Sequence, residues 1–92
     1  MGSTLQSRDQ AEVIALQSLK YIAARPDLLM AFLRTSGISL IQLKQSAGNR
    51  QTLAGVLHFL LERESILLDF CREHDIAPTL PSRALHLIEG DQ

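Results

Sequence analysis

Aliphatic residues recur at intervals of three and four along most of this chain, in short blocks separated by proline and glycine. Leucine accounts for seventeen of the 92 residues, whereas the chain has two valines, three phenylalanines, one tyrosine and no tryptophan. Leucine is a strong helix former, while valine and the aromatic residues are more frequent in strands. The spacing and the composition together predict an all-α fold, a compact bundle of five or six short helices.

The first predicted helix runs from Asp9 to Ala24. Asp9 is expected to be its N-cap, because a carboxylate can accept a hydrogen bond from an unpaired amide of the first turn. Pro26 ends the helix, since the residue before a proline disfavours helical geometry. The residues expected to face inward are Ala11, Ala15, Leu16, Leu19, Ile22 and Ala23.

Two further helices follow, Pro26–Ser36 and Leu40–Ala47. Proline suits the first turn of the second helix, and Gly37 is placed to end it in the left-handed conformation. Ser39 and Gln42 have the spacing of a capping box, in which each side chain bonds to the backbone of the other residue. The sequence thus predicts a tight corner between these two helices.

The apolar pattern from Leu53 onward allows two interpretations. No glycine or proline lies between Gly55 and Pro78, so one long helix from Asn49 to His74 is conceivable. The polar residues 62–65 instead favour a break, giving two helices. A last short helix is expected over 81–89.

Several features bear on location and domain organisation. The longest apolar run, residues 28–33, is far shorter than the ~20 residues of a membrane helix. Residues 1–10 lack the basic and apolar regions of a secretory signal, and a single cysteine excludes an intrachain disulfide. We therefore expect a cytoplasmic protein, with residues 1–8 as a flexible leader and residues 9–90 as a single helical domain.

Two pairs of side chains have spacings that a metal ion could use. His58 and Glu62 are four residues apart, and Cys71 and His74 are three apart. A metal site needs three or four ligands, and neither pair has a third at a recognisable spacing. Carboxylates surround Cys71 in the sequence and disfavour a thiolate. The sequence predicts no catalytic residue, no cofactor and no metal.

Residues 28–50 resemble a helix-turn-helix in length and in the position of the turn glycine. However, Leu33 stands four residues before that glycine, where the motif has a small residue, and the net charge of the chain is −1. DNA-binding domains are usually strongly basic. The residues that could reach bases and phosphates in such a motif are Gln42, Lys44, Gln45, Asn49 and Arg50.

The small net charge conceals an uneven distribution. Residues 28–61 contain three basic residues and no carboxylate, whereas residues 62–92 contain seven carboxylates and three arginines. A basic middle and an acidic end are compatible with an anionic partner, with a head-to-tail contact between copies, or with solubility alone.

The amount of apolar surface favours a partner. Hydrophobic residues make up 46% of the chain, and a domain of this size leaves a large share of its surface exposed. An apolar excess often covers a dimer interface or a partner groove, and the alternative is a leucine-rich core with no partner. We therefore expect a non-enzymatic interaction module that binds a protein partner or forms a homodimer, in preference to nucleic acid or a membrane. The residues predicted to form the partner surface are Phe59, Leu61 and Leu68.

Four stretches of the chain, residues 15–23, 32–37, 53–70 and 78–84, resemble a family of small bacterial proteins catalogued as domain of unknown function 3572. The most specific is Leu53-x-x-Val56-Leu57-x-Phe59-Leu60-Leu61-x-x-Glu64-x-x-Leu67-Leu68-x-Phe70. The resemblance implies a compact, all-helical, intracellular protein with a helix boundary near residues 62–64. It implies no catalytic or binding residues.

Overall fold

Six α-helices account for most of residues 8–90, the part of the chain that the computed structural model describes. They are α1 Arg8–Ala23, α2 Pro26–Ser36, α3 Leu40–Gln45, α4 Arg50–Leu61, α5 Glu64–His74 and α6 Leu80–Glu89. This described part contains no strand, and the predicted all-α fold of five or six short helices is confirmed. Most of the predicted leader, residues 1–7, lies outside the described residues.

The apolar residues form two clusters rather than one core. The first cluster joins α1, α2, α3, α4 and α5, and the second joins α1, α4 and α6. The buried members of the first are Leu19, Tyr21, Ile22, Phe32, Leu43, Val56, Phe59, Leu60, Phe70 and Cys71. Those of the second are Ala11, Ile14, Ala15, Leu53, Ala54, Leu57, Ala84 and Ile88.

Helix α1 contributes to both clusters because its N-terminal and C-terminal halves meet different neighbours. Near its start, the fully buried Ala11 and Ala15 lie in the same cluster as Ala84 of α6, and these small side chains allow the two helices to approach closely. The buried hydroxyl of Ser18 donates to the Ile14 carbonyl at 2.9 Å, so its polar atom is satisfied inside the bundle.

The buried side of α1 differs in part from the predicted one. The helix begins at Arg8, so Asp9 lies in its first turn and is not the N-cap. Leu16 and Ala23 are exposed, because α2, α4 and α6 cover the opposite side of the helix. The buried residues that the predicted set omitted are Ile14, Ser18 and Tyr21.

Local sequence signals set the corner between α2 and α3. Gly37 has a φ of 77° and its amide donates to the Leu33 carbonyl at 2.9 Å, which ends α2. The predicted capping box is present. The backbone amide of Ser39 donates to Oε1 of Gln42 at 2.8 Å, and the backbone amide of Gln42 donates to Oγ of Ser39 at 3.1 Å.

Helices α4 and α5 are separate, which decides between the two interpretations of residues 49–74. Asn49 caps α4, because its side-chain Oδ1 accepts a hydrogen bond from the backbone amide of Gln51 at 3.0 Å. The helix ends at Leu61, and α5 begins at Glu64. Between them Arg63 leaves helical geometry, with φ −124° and ψ 89°. The break therefore lies within the predicted polar segment.

The end of α5 is an unusual Schellman motif. Asp75 occupies the left-handed position with a φ of 55°, where glycine is normally found. The amide of Ile76 donates to the Cys71 carbonyl at 2.8 Å. The Ile76 side chain then packs against both apolar clusters, so this motif directs the chain from α5 toward α6.

No helix among residues 8–90 has the length and apolar character that crossing a membrane would require.

Replacing Asp75 by glycine is expected to stabilise the protein. A side chain in the left-handed conformation is strained by about 1–2 kcal/mol, and the greater freedom of glycine in the unfolded chain offsets part of the gain. We expect the free energy of unfolding of Asp75→Gly to rise by about 0.5–1 kcal/mol in urea denaturation. Asp75→Ala is the control, since it retains Cβ and should give no gain. Equal stabilisation by both variants would contradict the explanation.

Candidate interaction surface

Helix α3 is held to the bundle by few side chains. Of its six residues only Leu43 is buried, with 4% of its surface exposed. Leu43 belongs to the first cluster. Ile38, which precedes the helix, and Ala47, which follows it, are half-buried and pack on the same cluster. The helix therefore turns one side toward the first cluster and leaves the opposite side uncovered.

The uncovered side of α3 is apolar at its start and polar at its end. Ile41 is 67% exposed, and Leu40, which lies three residues before the buried Leu43 and so at the edge of this side, is 43% exposed. Lys44 and Gln45 follow Ile41 at three and four residues, so they lie on the same side of the helix, and both are exposed. Together Leu40, Ile41, Lys44 and Gln45 form what we call the α3 surface.

Three of the five residues predicted for a nucleic-acid role have partners within the chain. Gln42 completes the capping box of α3, and Asn49 caps α4. Nε of Arg50 donates to the Ile88 carbonyl at 2.9 Å and so links α4 to α6. Lys44 and Gln45 are the two that remain on the α3 surface.

One residue predicted for the partner surface is buried. Phe59 is 3% exposed and packs edge-on against Phe32, with ring centroids 5.5 Å apart. The guanidinium of Arg63 covers the Phe59 ring at 3.9 Å. The prediction of an exposed Phe59 is therefore wrong, because Phe32 of α2 and Arg63, at the start of α5, cover that side of the helix. Leu61 is half-buried and Leu68 is exposed.

The sequence interpretation missed other exposed apolar side chains, namely Val13, Leu16, Met30, Leu40 and Ile41. For Ile41 a signal was present. It lies two positions before Leu43, which places the two side chains on nearly opposite sides of a helix. Once Leu43 is assigned to the core, Ile41 has to be exposed.

A second group of polar residues joins the end of α1 to α5. The hydroxyl of Tyr21 donates to Oδ2 of Asp69 at 2.5 Å. The Arg25 guanidinium lies 3.7 Å from the centre of the Tyr21 ring, and its Nη2 is 2.9 Å from Oε2 of Glu73. Nη2 of Arg72 lies 3.5 Å from Oδ1 of Asp69. We call this group the Tyr21 cluster.

The pKa shifts of two groups, Tyr21 and Cys71, make those groups poorly suited to acid–base or nucleophilic chemistry. Burial, followed by the hydrogen bond to Asp69, raises the pKa of Tyr21 from its ordinary value of 10.0 to about 12. Burial also raises the pKa of the Cys71 thiol. Both groups are thereby held in their protonated forms at neutral pH, in which a phenol is a poor base and a thiol a poor nucleophile.

The candidate metal-binding pairs have other neighbours in the fold. Nε2 of His58 lies 3.0 Å from Oε2 of Glu89 on α6, and Glu62 is 3.9 Å from Arg63. The His74 ring packs against Phe70, with 4.7 Å between centroids. Within residues 8–90, no group of three or more His, Cys, Asp or Glu side chains is arranged to hold a metal ion.

Tyr21 is the only tyrosine in a chain without tryptophan, so its titration can be followed by absorbance near 295 nm. We expect half of the tyrosinate to form near pH 12 in the folded protein. Stopped-flow pH jumps would read the absorbance before any unfolding at high pH. Asp69→Ala, which removes the hydrogen bond but leaves the ring buried, should move the pKa to a value between 10 and 12. A midpoint near pH 10 in the folded protein would contradict the assignment.

The same pKa shift predicts a loss of stability at high pH. Because the pKa of Tyr21 is higher in the folded state, its contribution to stability is complete below about pH 10 and is lost as pH rises toward 12. Tyr21→Phe should cost about 1–2 kcal/mol at pH 7, and its difference from the natural chain in urea denaturation should shrink above pH 10. A difference independent of pH would contradict this.

Comparisons with known proteins place the chain in a family. No curated protein and no solved structure matches it. A family model described as "Protein of unknown function (DUF3572)" matches residues 8–91, which covers all six helices and confirms the resemblance seen in the sequence. The chain belongs to this family of proteins of unknown function.

Proposed function

We propose that this protein is a non-enzymatic protein-interaction module that binds its partner through the α3 surface. The observation that carries the proposal is the 67% exposure of Ile41. A large aliphatic side chain in this position contributes little to the fold, and burying its exposed two thirds against a partner would contribute about 1–2 kcal/mol to binding.

The neighbours of Ile41 support a contact surface rather than an isolated exposed residue. Leu40 lies next to it and is also exposed, and Lys44 and Gln45 border the apolar pair on the same side of the helix. An apolar centre with polar side chains at its edge is the usual composition of a protein interface. The capping box holds the backbone of α3 in place before any partner binds, which lowers the entropic cost of association.

The chemistry of the described residues supports a non-enzymatic role. The polar residues of the Tyr21 cluster pair with each other, and the raised pKa values of Tyr21 and Cys71 hold both groups protonated at neutral pH. The Tyr21–Asp69 hydrogen bond links α1 to α5, and the Arg25–Glu73 pair links the start of α2 to α5. We assign both a structural role.

Ile41→Gln tests the proposed function, because glutamine removes the apolar surface, adds no charge and is a good helix former. Val13→Gln is the matched control, since Val13 is also β-branched and is 53% exposed on α1. We expect both variants to fold with stability close to that of the natural chain. Affinity capture from cells that produce this protein, quantified by mass spectrometry, should find a protein that the natural chain and Val13→Gln retain. Ile41→Gln should lose it by about tenfold or more.

Sedimentation equilibrium examines the case in which the partner is a second copy. A dimer that Ile41→Gln dissociates and Val13→Gln preserves would support the proposal, with the chain as its own partner. A monomer that captures no protein in an Ile41-dependent way would overturn it.

A further inference from the structure

We infer that the partner of the α3 surface is an acidic, amphipathic protein segment. The inference rests on the proposed function and adds to it the charge and the form of the partner. The observation behind it is the distribution of carboxylates around α3.

The region that carries the α3 surface is free of carboxylates over a long stretch. None of the ten Asp and Glu residues of the chain lies between residues 28 and 61. Asp27, the last carboxylate before this stretch, is in the first turn of α2, where a negative charge stabilises the helix. The end of α2, the corner, α3 and the whole of α4 therefore carry only basic charge.

Two basic side chains of this carboxylate-free stretch are available to a partner. Arg34 of α2 and Lys44 of α3 are both exposed, and neither has a carboxylate partner among residues 8–90. Among the other basic residues, Arg25, Arg63 and Arg72 have carboxylates within 4 Å. Unpaired charges of one sign beside an exposed apolar pair attract a partner of the opposite sign and orient it.

The size of the α3 surface limits the form of the partner. A helix of six residues is about 9 Å long, so its outer side can cover about two turns of a partner helix. Such a segment would place apolar side chains against Leu40 and Ile41 and a carboxylate toward Lys44. An interface of this size is small, and we expect weak, transient and salt-sensitive binding.

Nucleic acid is a less suitable anion for this surface. Its centre is aliphatic, whereas affinity for DNA comes mainly from contacts of basic and polar groups with phosphates. Gln42, Asn49 and Arg50, which a helix-turn-helix would use, are hydrogen-bonded within the chain. The apolar pair and the shortage of free polar donors favour a protein.

Selection from a random-peptide display library tests the inference without a known partner. The full chain is immobilised at low salt, and the net charge of the enriched peptides is compared between the natural chain and two charge-reversed variants. Lys44→Glu changes the α3 surface. Lys20→Glu is the control, because Lys20 is an exposed lysine in the last turn of α1 and its replacement changes the total charge equally.

We expect the natural chain and Lys20→Glu to enrich peptides with an excess of Asp and Glu and with spaced apolar residues. Lys44→Glu should lose this acidic excess, and at 0.5 M salt the enrichment on the natural chain should fall about tenfold. Peptides without an acidic excess, or with the same excess on Lys44→Glu, would overturn the inference.

Two further measurements distinguish failure of the acidic-partner inference from failure of the proposed function. Neutral peptides whose binding is lost in Ile41→Gln would refute the acidic partner and leave the interaction module standing. Peptides that bind equally well to Ile41→Gln would refute both. The second measurement is the binding of a random-sequence DNA duplex, followed by fluorescence anisotropy. If DNA binds in a Lys44-dependent way and more tightly than the selected peptides, the conclusion that the partner is a protein would be overturned.

Discussion

Helix α4 carries apolar side chains on two neighbouring stripes, and the positions of the other helices follow from how those stripes are covered. Leu53 and Leu57 lie in the second cluster with α1 and α6, while Val56 and Leu60 lie in the first. The helices have 6 to 16 residues, and isolated helices shorter than about 12–15 residues are marginal in water. Packing around α4 must therefore supply most of the stability, and a helix that packs little, such as α3, depends on its cap.

Because the apolar residues form two clusters, the high hydrophobic content of the chain is weaker evidence for a partner than it would be with one core. If one core is assumed, 46% hydrophobic residues suggest a surplus left for a partner. Two clusters bury many of these residues. One of them is Phe59 of α4, which packs against Phe32 of α2. Among residues 9–90, a small set of large apolar side chains remains exposed, and the two that adjoin in the sequence are Leu40 and Ile41 of α3.

Features that depend on neighbours in the sequence were predictable, whereas features that depend on the relative position of distant helices were not. Gly37 and the Ser39–Gln42 capping box act within one turn of the chain, so their residue types are sufficient to identify them. The hydrogen bond from Tyr21 to Asp69 spans 48 residues and exists because α1 and α5 meet in one particular register. The burial of Phe59 and the exposure of Leu16 have the same origin, since a stripe of apolar residues identifies a helix but not which neighbour covers each part of it.

The α3 surface depends both on local sequence signals, which form the helix, and on the packing of distant helices, which leaves one of its sides uncovered. The structure was needed to identify it for the second reason. The local signals for α3 are complete, and its cap forms as the sequence indicates, yet the helix gives the core only Leu43. We expect the fold to tolerate a polar residue at position 41, because two thirds of the surface of this side chain is exposed. Among residues 8–90, the packing does not explain an isoleucine at this position, nor does it explain the carboxylate-free stretch around it. Both features are accounted for if this side of α3 is buried against an acidic partner.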